Sequence, residues 1–284
     1  MSSFVALDWG TTNLRGYHIQ NGKCIEKRAL TMGILNQKEK DFFSTFTEIT
    51  RGWEKSPVIL IGMIGSRSGW REAQYVSSLY DIASNLVDVC DLLKRKGWLV
   101  PGLTHKHSFQ DVMRGEETQL LGLQWDGLVL LPGTHNKYVW MQNGEVIHFR
   151  TLMTGEIYGL LTQHGMIAEL IHSNDDAFNF HSFSEGVLSS RHPGGLLHQI
   201  FSVRARGLDN NNQHLADYLS GILIGSELES QGVSNPVLMI GEKALCERYE
   251  IAIENLYPKT KVCFESGQDA IIRGASHLWE KINE

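Results

Sequence analysis

Apolar and polar stretches alternate in a way that predicts a β-rich start to the chain. The apolar residues 4–7 lead into Asp8, and Gly10 allows a tight reversal into a polar segment, so a strand and a turn are predicted. The elements that follow are predicted to be strands at residues 17–19 and 24–30, a helix at 41–53 and a strand at 58–61. The predicted order is therefore β-β-β-α-β.

The same pattern returns in the second half of the chain. From Gly127 an apolar strand runs into Gly133 and Thr134, a second strand follows, and Asn143 with Gly144 predicts a tight hairpin turn. Later elements are predicted to be strands at residues 146–151, 237–240 and 261–264 and helices at 157–171, 215–228, 245–256 and 269–282. A strand, a Gly-Thr turn and another strand thus occur once in each half, which predicts a duplicated unit.

The first turn carries groups that suit a phosphate ligand. Backbone N–H groups and two hydroxyls would face one spot beside the carboxylate of Asp8, an arrangement that fits a phosphate chain and its Mg²⁺. The turn residues are Gly10, Thr11, Thr12 and Asn13. The alternative is an ordinary β-turn in which Asp8 hydrogen-bonds its own backbone, because short glycine motifs often match by chance.

A second candidate site lies in residues 62–73, where three glycines surround a polar segment. Arg67 and Arg71, with Ser66 and Trp70 beside them, are predicted to form an anion-binding surface where an arginine pairs with a substrate carboxylate. The alternative is a solvated loop whose arginines contact only water. Residues 81–94, farther along, have a mixed helical pattern.

Glu116 and Glu117 lie in residues 111–123, which are predicted to form a helix. A kinase that phosphorylates a hydroxyl needs a carboxylate to orient that group and accept its proton. Adjacent helical residues point about 100° apart, so only one of the two can face a reacting group. Glu117 is preferred, and Asp111 is the next candidate. The alternative is that both glutamates are exposed surface charges.

Length and composition limit the class of protein. The 284 residues fit two domains, predicted to be residues 1–117 and 118–284. No apolar run approaches the roughly 20 residues that span a bilayer, and the first four residues lack a signal-peptide pattern, so a cytoplasmic protein without a membrane partner is expected. The four cysteines form no C-x-x-C pair, which argues against disulfides and zinc. A net charge of −6 argues against nucleic acid as the main partner.

Members of the actin, hexokinase and Hsp70 superfamily have a duplicated unit with one phosphate-binding hairpin in each copy. The two predicted hairpins of this chain, one in each half, resemble that arrangement. A closer resemblance is carried by five segments in one order: D-W-G-T-T-N-L-R from Asp8, M-I-G-S-R-S-G-W from Met63, D-V-M-R-G-E-E-T-Q from Asp111, L-P-G-T-H-N-K from Leu131 and F-R-T-L-M-T-G-E from Phe149. On these segments the chain resembles the 2-dehydro-3-deoxygalactonokinases, sugar-acid kinases of the actin-like ATPase superfamily.

The resemblance implies an α/β, two-domain actin/hexokinase-like (ribonuclease H-like) fold, a duplicated mixed β-sheet flanked by helices with ATP in the interdomain cleft. It implies phosphorylation of the 6-hydroxyl of 2-dehydro-3-deoxy-D-galactonate by ATP with Mg²⁺, in galactonate breakdown, and a homodimer is also expected. Asp8 is expected to contact the metal and Arg15 the substrate. The ATP-binding residues expected in the second half are Gly133, Thr134, His135, Lys137 and Gly241, the last opening space for adenosine.

The second hairpin departs from the superfamily pattern. Pro132 stands before its glycine where many members have Asp, which leaves Asp8 as the main protein carboxylate near Mg²⁺ and Lys137 as a point charge for phosphate. The runner-up function is a phosphoanhydride hydrolase, because G-E-E-T-Q-L-L-G-L is also similar to the glutamate-bearing helix of exopolyphosphatases. A non-enzymatic ATP-binding scaffold would need a longer chain. The galactonate and gluconate epimers both remain open as acceptors.

Overall fold

The computed structural model describes residues 3–37, 41–106, 110–171, 177–209 and 213–284. Its strands are β1 Ser3–Trp9, β2 Leu14–Gln20, β3 Lys23–Leu30, β4 Val58–Gly62, β5 Tyr75–Val76, β6 Val87–Asp88, β7 Gly97–Leu99, β8 Gly102–Lys106, β9 Gln110–Met113, β10 Gly127–Leu131, β11 Asn136–Gln142, β12 Glu145–Leu152, β13 Val237–Gly241 and β14 Val262–Ser266. Its α-helices are α1 Phe42–Ile49, α2 Cys90–Leu93, α3 Glu116–Leu120, α4 Thr154–Gln163, α5 Gly165–Ala168, α6 Phe180–Ser189, α7 Gly195–Leu208, α8 Leu215–Gln231, α9 Lys243–Leu256 and α10 Gly267–Asn283.

The first sheet is built on the predicted three-stranded meander. Its strand order is β3-β2-β1-β4-β7-β6, with β1 antiparallel to β2 and parallel to β4. Asn21 and Gly22 between β2 and β3 both have positive φ values, 51° and 73°, as a tight two-residue turn requires. All five residues of β4 are buried, as expected for a central strand with parallel neighbours.

The second large sheet repeats this order as β12-β11-β10-β13-β14. Strand β10 is parallel to β13, as β1 is to β4. Asn143 and Gly144 have φ values of 53° and 76° and form the predicted turn between β11 and β12. The duplicated mixed sheet with flanking helices is therefore confirmed. A small third sheet, with the order β5-β8-β9, was not predicted.

The chain divides into two compact units. The first contains residues 1–126, 141–149 and 266–284, and the second contains residues 127–140 and 150–265. The predicted division into functional domains at residue 117 stays a prediction. Among the residues that the structure describes, none of the helices combines the length and apolar character that a membrane span requires.

Each unit has its own apolar core. In the first unit α1 buries Phe42, Phe46 and Ile49 in a cluster that includes Trp9. Asp41 caps this helix by accepting the Ser44 N–H over 3.0 Å. In the second unit most of α8 is buried, and its glycines allow close contact with α6, since a Cβ at Gly225 would lie 2.7 Å from the Val187 carbonyl oxygen.

Three helix predictions are wrong. Residues 157–171 are divided between α4 and α5, which the extended backbone of His164 separates. Residues 81–94 form 3₁₀ turns, β6 and the short helix α2 instead of one helix. Within residues 111–123 the first part is strand β9, whose side chains alternate between exposed Val112 and buried Met113, so the helix is only α3. Gly115 separates the two with a φ value of 114°, which a continuous right-handed helix does not contain.

Candidate active site

The first hairpin connects β1 to β2 and carries Asp8 near the end of β1. Asp8 lies opposite Arg15 in the antiparallel pair, and Arg15 Nη1 is 3.9 Å from Asp8 Oδ2. The Gly10 N–H donates to the Asn13 carbonyl oxygen over 2.9 Å and closes the turn. The three polar residues 11–13 are exposed. Their hydroxyl and amide groups therefore lie at the surface beside a carboxylate.

A segment that the sequence analysis did not single out fixes the shape of this hairpin. Three N–H groups of residues 33–35 donate to the carbonyl groups of residues 10–12 over 2.8, 3.0 and 3.1 Å. A Cβ at Gly33 would collide with the backbone of Thr11 and Thr12, so the contact requires glycine. The hairpin is therefore held by backbone hydrogen bonds, and its side chains are left for other contacts.

Asp8 lies in surroundings that oppose its ionisation. Its side chain is 20 % exposed, and burial raises its pKa to about 6, while Arg15 acts to lower the pKa and Glu116 to raise it. A cation close to such a carboxylate would stabilise the ionised form. Asp8 therefore suits the predicted role beside a metal ion.

Two glycines bring residues 115–117 close to Asp8. Gly62, at the end of β4, has a φ value of 90°, and a Cβ there would lie 3.0 Å from the Trp9 carbonyl oxygen. A Cβ at Gly115 would lie 3.4 Å from the Gly62 Cα. The backbones of the three segments therefore approach closely only because two of them carry glycine. This contact places Glu116, the residue after Gly115, where its charge acts on Asp8.

The two adjacent glutamates differ in exposure. Glu117 is fully buried and accepts hydrogen bonds from the Gly115 N–H over 2.6 Å and from the Thr118 hydroxyl over 3.1 Å. Burial and then the charge of Glu116 raise the pKa of Glu117 to about 8. Glu116 is partly exposed and accepts the Arg114 N–H over 3.1 Å. The role of Glu117 as the catalytic carboxylate stays a prediction. Because Glu117 is buried and Glu116 is partly exposed, exposure favours Glu116 for this role.

In the predicted substrate loop, residues 62–73, both arginines pair with acidic side chains. Arg71 donates two hydrogen bonds to Asp91, over 3.0 and 2.6 Å, and Arg67 lies 3.2 Å from Glu72 with 89 % of its side chain exposed. Each arginine therefore has its own carboxylate, and a substrate carboxylate would compete with Asp91 or Glu72. The Ser66 hydroxyl is buried. The role of these residues in substrate binding stays a prediction.

Trp70 belongs to the core of the first unit. Its ring centroid lies 6.4 Å from that of Trp9, 6.2 Å from that of Phe42 and 5.8 Å from that of Phe46. Such aromatic contacts stabilise the packing between the loop and α1. Trp70 therefore anchors the loop, which the sequence analysis interpreted only as a substrate contact.

Arg114 anchors the other end of this loop, a role that the sequence analysis did not predict. It is 8 % exposed, its Nη2 donates to the Ala73 carbonyl oxygen over 2.9 Å, and its guanidinium lies 4.3 Å from the centroid of the Tyr75 ring. The loop is thereby tied to the segment that carries Glu116.

The second hairpin connects β10 to β11 and is held by a side chain. The Gly133 N–H donates to Asn136 Oδ1 over 2.7 Å. The His135 ring contacts the Glu156 carboxylate. Lys137 is 4 % exposed, and its ammonium group donates to the His135 carbonyl oxygen over 3.2 Å. This burial does not favour the predicted contact between the lysine charge and phosphate, which stays a prediction.

A cavity of about 110 Å³ lies beside the second hairpin, within the second unit. Its wall includes Gly133, Asn136, Thr154, Tyr158, Arg248 and Tyr249. A Cβ at Gly133 would meet nothing within 4 Å, so the hairpin leaves open space at this position. The predicted adenosine residue Gly241 lies next to the hairpin, where a Cβ would be 3.4 Å from the Pro132 carbonyl oxygen, but it is not part of the cavity wall.

Comparison with known proteins identifies the family. The family model described as 2-keto-3-deoxy-galactonokinase matches residues 8–278. The chain belongs to this family. The 2-dehydro-3-deoxygalactonokinase of Escherichia coli (strain K12) is 32 % identical over 290 residues, which cover 96 % of this chain and 97 % of that protein. The probable 2-dehydro-3-deoxygalactonokinase of Rhizobium meliloti (strain 1021) is 32 % identical over 274 residues, 89 % of each chain.

Solved structures agree with this assignment. A crystal structure from Sinorhizobium meliloti that bears the name 2-dehydro-3-deoxygalactonokinase is similar with a TM-score of 0.89 at 30 % identity, over 98 % of this chain and 96 % of that chain. The activator of 2-hydroxyisocaproyl-CoA dehydratase from Clostridium difficile, solved with ADPNP, has a TM-score of 0.53 at 13 % identity, over 99 % and 96 % of the chains. The latter likeness shows the fold alone. The fold is that of the actin-like ATPases and sugar kinases, as the resemblance implied.

Phosphoryl transfer in a 2-keto-3-deoxy-galactonokinase raises the question of a metal site. Within the described part of the chain, no three His, Cys, Asp or Glu side chains are grouped to hold a metal ion. Mg²⁺ usually keeps several waters and takes one or two protein carboxylates together with phosphate oxygens. Asp8, partly exposed and with a raised pKa, fits such a site, and Glu116 is a second carboxylate nearby.

Sequence reasoning also missed a buried carboxylate in this 2-keto-3-deoxy-galactonokinase. Glu227 of α8 is 4 % exposed and accepts hydrogen bonds from Asn136 and Tyr249 over 2.7 and 3.0 Å. The available signal was an acidic residue within the largely apolar sequence of α8. Charged residues are rarely buried without partners, so this position could have been singled out.

Proposed function

We propose that the chain transfers the γ-phosphate of ATP to the 6-hydroxyl of 2-dehydro-3-deoxy-D-galactonate and gives the 6-phosphate and ADP. The observation that carries this proposal is that three distant segments, around Asp8, Gly62 and Glu116, converge in a chain of the 2-keto-3-deoxy-galactonokinase family. The names of the relatives supply the acceptor. Hydrolysis of phosphoanhydrides is the competing activity that the experiment must exclude.

Asp8 and Glu116 have separate tasks in this proposal. Asp8 would hold Mg²⁺, directly or through water, and the bound metal would supply positive charge beside the phosphate oxygens. The pKa of about 6 leaves most Asp8 carboxylates ionised above neutral pH. Glu116, which is partly exposed, orients the acceptor hydroxyl and takes its proton. Burial raises the pKa of Glu117 to about 8, so its carboxyl group is mostly protonated at neutral pH. Its role in this proposal is to hold the turn at Gly115 by accepting the Gly115 N–H.

Eight of the remaining predicted residues are assigned to binding. The exposed Thr11, Thr12 and Asn13 bind phosphate, and the second hairpin binds nucleotide through Gly133, Thr134 and His135, with adenosine in the adjacent cavity. Arg15 and Arg67 attract the substrate carboxylate. Arg67 is the more exposed loop arginine, whereas Arg71 would first have to release Asp91.

A coupled assay of ADP release tests the proposed reaction. With Mg-ATP, the purified chain should release ADP in step with consumption of the sugar acid, and the rate without acid should fall to background. ³¹P and ¹³C NMR should place the new phosphate ester at C6. Parallel reactions contain the galactonate derivative, its gluconate epimer or polyphosphate. Acceptor-independent ADP release, or release of phosphate from polyphosphate, would replace the kinase assignment by the hydrolase.

A further inference from the structure

A cluster of polar side chains is buried in the second unit around Glu227. The cluster consists of Glu227 on α8, Asn136 on β11, Thr154 at the start of α4 and Tyr249 on α9, and we call it the Glu227 cluster. Asn136 Nδ2 donates to Glu227 Oε2 over 2.7 Å, and the Tyr249 hydroxyl donates to Glu227 Oε1 over 3.0 Å. The Thr154 hydroxyl also donates to Glu227 Oε2. One carboxylate thus collects donors from three other elements.

The polarity of the carboxylate fixes the orientation of the Asn136 amide. Glu227 accepts the hydrogen bonds of its neighbours through both carboxylate oxygens, so Asn136 turns its NH₂ group toward Glu227 and Tyr249. Its Oδ1 is then directed to the hairpin, where it accepts the Gly133 N–H over 2.7 Å. If the amide were reversed, two N–H groups would face each other at Gly133. Glu227 therefore determines whether this hairpin hydrogen bond can form.

The same carboxylate holds the hairpin from the side of α4. Thr154, which donates to Glu227, precedes Gly155, where a Cβ would collide with the Gly133 carbonyl oxygen. The next N–H group, that of Glu156, donates to the Thr134 carbonyl oxygen over 3.0 Å. The start of α4 is therefore in contact with the hairpin backbone and is tied to Glu227 at the same time.

A purely structural role explains this arrangement poorly. Burying a carboxylate is unfavourable, and apolar residues of similar size often stabilise a core at least as well as a buried charge. Burial raises the pKa of Glu227 although the hydrogen bonds from its neighbours oppose the shift. The partners of Glu227 are also part of a binding surface, because Asn136, Thr154 and Tyr249 all lie in the wall of the cavity beside Gly133.

We propose that Glu227 is a positioning residue: through Asn136 and Thr154 it sets the conformation in which the second hairpin and the adjacent cavity bind nucleotide. The proposal rests on the proposed function in one respect, that this cavity receives the nucleotide. Glu227 itself does not contact the ligand in this scheme. It acts on affinity for nucleotide and leaves affinity for the sugar acid unchanged.

Glu227→Gln tests the proposal with little change in shape. The introduced glutamine has one accepting oxygen, so its NH₂ group faces either Tyr249 or the donors of Asn136 and Thr154, and at least one hydrogen bond that the carboxylate accepts is lost. We expect the dissociation constant of Mg-ADP, measured by calorimetry, to rise about tenfold or more, with the sugar-acid constant unchanged. Glu229→Gln is the matched control, since Glu229 lies on the same helix and pairs with Arg191 at the surface over 3.0 Å. The control should bind Mg-ADP like the parent chain.

A charge-transposed double variant separates positioning from general damage. Combining Asn136→Asp with Glu227→Gln restores complementarity, because the introduced aspartate can accept both the Gly133 N–H and the glutamine NH₂. We expect its affinity for Mg-ADP to return to within a few-fold of the parent. Parent-like affinity of Glu227→Gln, equal losses for nucleotide and sugar acid, or no recovery in the double variant would each overturn the proposal.

A milder variant covers the case in which Glu227→Gln does not fold. Thr154→Val keeps the shape of the side chain and removes one donor to Glu227, so it should weaken Mg-ADP binding a few-fold, and parent-like affinity would overturn the proposal. The readout is binding and needs no turnover. If the chain fails to phosphorylate the sugar acid but loses Mg-ADP affinity in these variants, the reaction assignment fails and the positioning role stands.

Discussion

The two hairpins follow corresponding strands of their sheets, yet they are stabilised in different ways. Backbone hydrogen bonds from residues 33–35 hold the first hairpin, whereas the Asn136 side chain and the buried Glu227 hold the second. The first hairpin is preceded by Asp8, and Pro132 precedes the second glycine. A hairpin held through its backbone leaves its side chains available for chemistry. A hairpin held through a buried polar cluster depends on each member of that cluster.

This difference fits a division of tasks in the proposed reaction. The first hairpin has the carboxylate and exposed hydroxyls that metal and phosphate chemistry needs. The second hairpin offers open space at Gly133 beside a cavity and no carboxylate within residues 132–137. Substitutions in the first hairpin should therefore act on turnover, and substitutions around the second should act on nucleotide affinity.

The largest effect is expected for Asp8→Asn. Loss of the carboxylate proposed to hold Mg²⁺ should lower kcat by about 10³- to 10⁵-fold, since metal stabilisation supplies several kcal/mol and about 1.4 kcal/mol corresponds to a factor of ten. Steady-state kinetics with Mg-ATP measures this. The matched control is Asp41→Asn, because asparagine also caps helices well and Asp41 caps α1. Near-normal turnover of Asp8→Asn would remove the first hairpin from the metal site.

Asp8→Asn should lower turnover without lowering the stability of the folded chain at neutral pH. The pKa of Asp8 is raised from an ordinary value near 4 to about 6 in the folded chain. Its contribution to folding is therefore fully present below about pH 4 and is lost as the pH rises through 6. The asparagine variant lacks this loss, so thermal unfolding should show no destabilisation at pH 7 and a weaker pH dependence between 4 and 6.

Glu116→Gln should have the next largest effect. Loss of the group that accepts the proton typically lowers the rate by about 10² to 10⁴, so kcat should fall within this range with little change in substrate affinity. Glu117→Gln is the internal control, because Glu117 is mostly protonated at pH 7 and glutamine resembles the protonated form. If Glu117→Gln lost turnover and Glu116→Gln did not, the preference drawn from the sequence would be restored.

The two glutamate variants also differ in their expected stability at high pH. Since the folded pKa of Glu117 is raised from 4.5 to about 8, its contribution to folding is fully present below about pH 4.5 and is lost as the pH rises to 8. Glu117→Gln should therefore gain stability relative to the parent chain as the pH rises from about 5 to 8, as thermal unfolding would show.

Local signals explain what could be predicted from the sequence. The strands of both sheets follow apolar runs, and the turns at Asn21 and Asn143 follow from Asn-Gly pairs that favour positive φ. Residues 111–113 were assigned to a helix because a few apolar positions there also match helical spacing. In the structure the strand ends at Met113, and α3 begins after Gly115, whose backbone lies close to the distant Gly62. No local pattern contains that contact.

The candidate site was only partly predictable for the same reason. The residue types of Asp8, Glu116 and Glu117 indicate chemistry by themselves, so the sequence singles them out, with Glu117 preferred, and their roles stay predictions. Pairing of Arg71 with Asp91 and support of the first hairpin by residues 33–35 are tertiary contacts. The burial that distinguishes Glu117 from Glu116 also arises from tertiary packing, which includes α10 against α3.

The smallest effects are expected for substitutions of two glycines in the second unit. One of these substitutions, Gly133→Ala, tests where the nucleotide binds. Gly155→Ala introduces a Cβ against the Gly133 carbonyl oxygen and 2.9 Å from Thr134 Cα, so overpacking should destabilise the chain by about 1–3 kcal/mol. Gly133→Ala meets nothing within 4 Å and should change the free energy of unfolding by less than about 0.5 kcal/mol. If adenosine lies in the adjacent cavity, the new methyl group should still weaken Mg-ADP binding several-fold in calorimetry. Unchanged affinity of Gly133→Ala, with thermal unfolding like that of the parent chain, would place the nucleotide elsewhere.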